Sequence, residues 1–88
     1  MKYGVYSTID RAAEEFGPIY QSSNDAVARR RFDMLLSDLN VAFPDDFKLF
    51  KLGEFDNSTG ILTGFDKPEE VYFPKDDEIQ NLRISEVK

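Results

Sequence analysis

The chain has 88 residues, 41% of them hydrophobic and 32% charged, with a net charge of −6, eight Phe, four Tyr and no Trp. That is the length and balance of one small globular domain with a thin stability margin, and it is wrong for a disordered chain. With no Cys and no His, disulfides, thiolate metal sites, cysteine nucleophiles, Ser-His-Asp catalysis and a histidine pH switch are excluded, and the acidic balance opposes a strong autonomous DNA coat.

The first residues run straight into a strand-like stretch, Lys2 to Ser7, dense in aromatic and β-branched side chains. No apolar leader or membrane-length run is visible, so an intracellular protein away from membranes is expected. Asp10 to Gly17 reads as a helical turn or a loop, too short to stand alone. Gly17-Pro18 punctuates it, and Pro18-Ile19-Tyr20 reads as a short strand pairing with the first.

Ser22-Ser23-Asn24-Asp25 is the clearest helix start, because each side chain can accept from an orphan amide of the first turn. Behind it Ala28, Phe32, Leu35, Leu36 and Leu39 form one apolar stripe at helical spacing, predicting a helix from Asp25 to Leu39 that ends near Asn40. After a connector around Pro44, Phe47 to Phe55 is a strong strand. Asp56-Asn57-Ser58-Thr59-Gly60 is a turn, and Ile61-Leu62-Thr63 completes a hairpin. Lys67-Pro68-Glu69-Glu70 reads as a turn or a single helical turn, and Val71-Tyr72-Phe73 as a segment that packs back. Pro74 to Lys88 is charged and poorly patterned, anchored only by Ile79, Leu82 and Ile84, as in a tail or a partner-binding arm.

The expected fold is therefore α+β, with a domain over 1–73 and an extension over 74–88. A four-stranded antiparallel sheet in β-β-α-β-β order would bury the helix stripe on one face and leave the other open. An open face or edge usually finds a partner, which predicts a homodimer or higher oligomer.

Two constellations are candidates for binding nucleic acid or a protein partner. Arg29, Arg30 and Arg31 fan over the polar side of the helix, where Arg29 and Arg30 could meet phosphate; the plainer reading is a solvated face balanced by Asp25 and Asp33. Tyr3, Tyr6, Tyr20 and Phe50, interleaved with Lys2, Lys48 and Lys51, could stack and neutralise single-stranded DNA. The plainer reading is that these rings make the core or a dimer interface. The acidic groups Asp45-Asp46, Glu69-Glu70 and Asp76-Asp77-Glu78 match no calcium loop: counting from Asp56, the twelfth position is Lys67, not an acid. No catalytic residue, metal site or cofactor is expected.

Three segments, taken together, resemble a known family. Ser23 to Phe32 (SNDAVARRRF), Pro44 to Asp56 (PDDFKLFKLGEFD) and Thr59-Gly60 followed by Lys67-Pro68 resemble, in order and spacing, the small nonstructural proteins of gokushoviruses. These are tailless single-stranded DNA phages of the microvirus family. Lys2 to Ser7 is similar to that family's opening strand, and the likeness covers roughly residues 1 to 70. It implies a non-capsid accessory protein, likened to one that acts at the switch from double-stranded replication to single-stranded DNA synthesis and genome packaging. On that likeness its partners would be the replication initiation complex and the procapsid. The alternative is a protein–protein adaptor that docks on the replication initiator or host replication proteins without touching DNA.

Overall fold

A computed structural model describes residues 1–71. Tyr72, Phe73 and the charged arm from 74 to 88 lie outside the described residues. In chain order the elements are β1 (Lys2–Asp10), β2 (Glu15–Phe16), β3 (Tyr20–Ser22), α1 (Asp25–Asp38), a short 3-10 turn (Pro44–Asp46), β4 (Phe47–Asp56) and β5 (Ile61–Glu70). The fold is α+β, an antiparallel curled sheet four strands wide with one helix.

The sheet is built on β1. Its full length pairs with β4, from Lys2 opposite Asp56 to Asp10 opposite Phe47. Its other edge is shared by two short strands, with β3 beside Gly4 to Tyr6 and β2 beside Ile9 and Asp10. On the far side β4 pairs with β5, which forms the outer edge.

The strand at Glu15–Phe16 replaces the helical turn or loop predicted there. Asp10 is the reason. Its carboxylate accepts from the amides of Ala12 (3.0 Å) and Ala13 (3.3 Å), and its carbonyl accepts from Glu14 (2.8 Å). Glu14 takes a left-handed φ of 58°, so the Arg11–Glu14 stretch reverses the chain after one turn and lays Phe16 back beside Ile9.

The helix start is as predicted. Asn24 is extended and its side chain accepts from the Val27 amide at 2.9 Å, while Asp25 occupies the first turn, where a negative charge suits the helix dipole. The end is a Schellman motif one residue short of the predicted Leu39. Asn40 is left-handed (φ 51°), its amide donates to Ser37, and the Val41 amide donates to Leu36. Ala28 and Phe32 are buried, and with Tyr6 and Leu49 they form the core, flanked by Tyr20, Leu36, Phe47 and Val71. The stripe is not fully covered: Leu35 and Leu39 remain exposed. A 14-residue helix spans roughly 21 Å, and the molecule extends 47 Å along its longest axis, so one helix cannot shield the whole sheet.

The β4–β5 hairpin closes through Gly60 (φ 77°), whose amide donates to the Asp56 carbonyl at 2.7 Å. β5 does not stop at Thr63. It runs on through Lys67-Pro68-Glu69-Glu70, where the sequence predicts a turn. Pro68 is tolerated there because β5 is an edge strand and the ladder is interrupted at that point. Between the pairs Gly53–Gly64 and Lys51–Glu69, residues 65–68 of β5 face only Leu52 of β4. Among the described residues, no helix is long and apolar enough to cross a membrane.

Candidate functional site

In a pleated sheet, residues paired directly across two strands share a face, and neighbours along a strand alternate. Tyr6 points to the helix side, since it belongs to the core with Ala28 and Phe32. Tyr3, Val5, Ser7 and Ile9 therefore project from the reverse side. Their register partners go with them: Phe55 opposite Tyr3, Phe50 opposite Ser7, Lys48 opposite Ile9, and Phe16 opposite Ile9 on the other edge. The reverse face thus carries four rings over Val5, which is itself buried. Phe16 and Phe50 meet edge to face, 5.6 Å between centroids and 78° between planes, the geometry that aromatic quadrupoles favour. Tyr3, Phe50 and Phe55 are half-buried and Phe16 is 42% exposed. Lys48 contributes a cation, and Glu70, opposite Phe50 on β5, contributes a carboxylate.

The residues singled out from the sequence divide among four places. Tyr3, Lys48 and Phe50 belong to the reverse face. Tyr6 and Tyr20 lie on the helix side, paired across β1 and β3 with rings 6.1 Å apart. Tyr6 is 0% exposed, its hydroxyl donating to Asp25 at 2.6 Å. Tyr20 is half-buried, its hydroxyl donating to the Ala28 carbonyl at 3.3 Å under the Arg31 guanidinium, 4.6 Å above the ring. Neither ring offers a face to a base. Lys51 is the register partner of Tyr6 and stands 5.8 Å from the Phe65 ring. Lys2 is exposed at the end of the sheet opposite Asp56. Arg29 is held by Asp33 at 2.9 Å, and Arg30 is exposed on the helix.

Phe16 and Phe55 complete the ring-bearing face, and the sequence reading does not select them. Alternation along β4 would have set Phe55 on the face opposite Phe50, five residues away; the two share a face only because the register shifts at Leu52. Phe16 was equally hidden, because its strand exists only through the Asp10 turn.

A second concave feature lies on the helix side. A groove of about 890 Å³ runs between α1 and the β2–β3 segment, walled by Gly17, Pro18 and Ile19 on one side and Val27, Met34 and Leu35 on the other. Its floor includes Thr8, whose Oγ1 is buried with no hydrogen-bond partner among the described residues. Ile19 is 67% exposed and Met34 62% exposed, so the groove is apolar and open. Arg31 and Asp38 stand on its rim.

Among the described residues, three ionisable groups are displaced from their ordinary values. Burial, and then the Asp25 carboxylate it donates to, push the Tyr6 phenol far up. Burial also raises Tyr20, with the Arg31 guanidinium pulling the other way. The Asp56 carboxyl is lowered by the Ser58 amide that donates to it (2.9 Å) and by the terminal ammonium of Met1 at 3.7 Å. All three are explained by packing or turn formation, and none lies on the reverse face.

Residues 3–76 match the family described as Phage ORF5 protein. No curated protein and no solved structure gives a significant match.

Proposed function

The chain belongs to the Phage ORF5 protein family, and from that premise we propose that it is a non-catalytic nonstructural protein that binds single-stranded DNA during viral genome synthesis and packaging. The observation that carries this reading is the four-ring face of Tyr3, Phe16, Phe50 and Phe55 with Lys48 beside it, on the side of the sheet away from α1. A base has a flat apolar surface whatever its identity. A sheet bearing rings next to a cation therefore holds a single strand without reading its sequence, at roughly 1–3 kcal/mol per stacked base. The net charge of −6 makes such contact local, as long-range attraction is missing. This suits a protein that engages DNA already brought close by a replication or packaging complex.

The likeness of Ser23 to Phe32 and Pro44 to Asp56 to gokushovirus proteins supports a role at the switch to single-stranded synthesis in the cytoplasm of an infected bacterium. The same acidic charge and the apolar groove beside α1 favour one second reading. In it the protein is an adaptor on the replication initiator or the procapsid, with no DNA contact.

Fluorescence anisotropy of labelled oligo(dT) across a salt series separates the two. Direct binding appears at low salt and weakens as salt rises. A flat signal at low salt removes direct binding and leaves the adaptor, which is then tested by capture of the initiator with the full chain and with residues 74–88 deleted.

A further inference from the structure

We propose that two copies of this chain associate through α1, each helix lying antiparallel to the other in the groove beside it, with Arg31 of one copy against Asp38 of the other. The inference rests on how charge and apolar surface are laid out along one stripe of the helix. At 100° per residue, Val27, Arg31, Met34, Leu35 and Asp38 fall on the side of α1 that lines the groove. That side borders the line of Ala28 and Phe32, which pack on the sheet, and Phe32 also reaches the groove.

Behind Val27, the stripe from Arg31 to Asp38 is cationic, then apolar at Met34 and Leu35, then anionic. A two-fold axis passing between Met34 and Leu35 matches residue 34 with 35 and residue 31 with 38. Both charge contacts then become attractive, and the exposed Met34 and Leu35 are covered by their own counterparts. A parallel arrangement would instead set Arg31 on Arg31 and Asp38 on Asp38. Self-complementarity about a two-fold axis is what an isologous interface requires. A second copy of the chain therefore meets the charge pattern on both sides at once. The groove wall at Pro18 and Ile19 supplies further apolar surface at the rim of that contact. Tyr3, Lys48, Phe50 and Phe55 lie outside the groove lining and only Phe16 borders both surfaces, so the association leaves the main part of the reverse face clear.

The test is sedimentation equilibrium of the full chain and of charge-reversed variants at moderate salt, with circular dichroism confirming that each is folded. The wild type is expected to dimerise with rising concentration. Arg31→Glu and Asp38→Arg are each expected to weaken dimerisation roughly tenfold, because each makes both symmetric contacts repulsive. Mixing the two variants is expected to restore it, because the heterodimer again pairs unlike charges at both contacts. Met34→Asp, at the centre, is expected to abolish it. A wild type that stays monomeric at all concentrations overturns the proposal. So does a dimer insensitive to these changes, or a pair of variants that do not complement each other.

Discussion

The Tyr6 hydroxyl donates a 2.6 Å hydrogen bond to the carboxylate of Asp25, joining the middle of β1 to the first turn of α1. One bond thereby ties the register of the central strand to the position of the helix. The ring carrying that hydroxyl folds back over Gly4, so closely that a Cβ there would stand 2.5 Å from the Tyr6 oxygen. Strand, glycine and helix cap form one unit at the centre of a small core.

Removing the hydroxyl alone measures that unit. Tyr6→Phe is expected to cost about 1 kcal/mol, the net value of a hydrogen bond, and to lower Tm by roughly 4–8 °C in a domain of this size. Asp25→Ala is expected to cost a similar amount, and the double variant less than the sum. A double-mutant cycle by urea denaturation checks this; full additivity would show that the bond contributes nothing in solution.

The same tyrosine sets an alkaline limit. Its folded-state pKa, and that of Tyr20, stand above the ordinary value of 10.0, so the unfolded chain releases these protons first. The stabilisation they confer is complete below about pH 10 and is lost as pH climbs from there toward the folded values. Denaturation midpoints are expected to be level from pH 7 to 9 and to fall above pH 10. The fall should be shallower in Tyr6→Phe. Equal slopes in the two proteins would contradict the assignment.

Two glycines differ in what surrounds them. A Cβ on Gly4 would press on the end of a side chain, whereas one on Gly53 would lie on the carbonyl oxygen of Thr63, in the backbone of β5. A ring can tilt, but a paired strand must move away whole. Gly53→Ala is therefore expected to destabilise by about 3 kcal/mol, and Gly4→Ala by about 1–2 kcal/mol. Hydrogen exchange in Gly53→Ala should rise first at the amides of Ile61 to Gly64. Protection unchanged there would place the damage elsewhere.

For DNA binding, Phe16→Ala and Phe50→Ala are each expected to weaken oligo(dT) affinity by about 5- to 150-fold, the worth of one stacked base. Lys48→Ala is expected to flatten the salt dependence by about 0.7 in log–log slope, one phosphate contact on a single strand. Tyr20→Phe, on the helix side, is expected to leave affinity unchanged. Equal losses in all four would point to general destabilisation rather than a binding face.

What the sequence determined by itself was local. The Asn24 cap, the helix from Asp25 and the Asp56–Gly60 turn each depend on residues within one turn of one another, and each stands where the pattern put it. The absence of His and Cys limited the available chemistry before any coordinates. The tertiary structure decided which rings are surface and which are core. Tyr3 and Tyr6 are three residues apart on one strand, so the pleat sends them to opposite sides. Which side is buried depends on where the helix lands and on register, and a shift of one residue exchanges the faces. The bulge at Leu52 and the long bulge at 65–68 are such shifts, and no short-range pattern announces them. The strand at Phe16 exists because Asp10 folds the chain back to meet β1. Its ring joins the ring-bearing face through a contact between residues far apart in sequence, Phe16 and Phe50, which only the assembled sheet brings together.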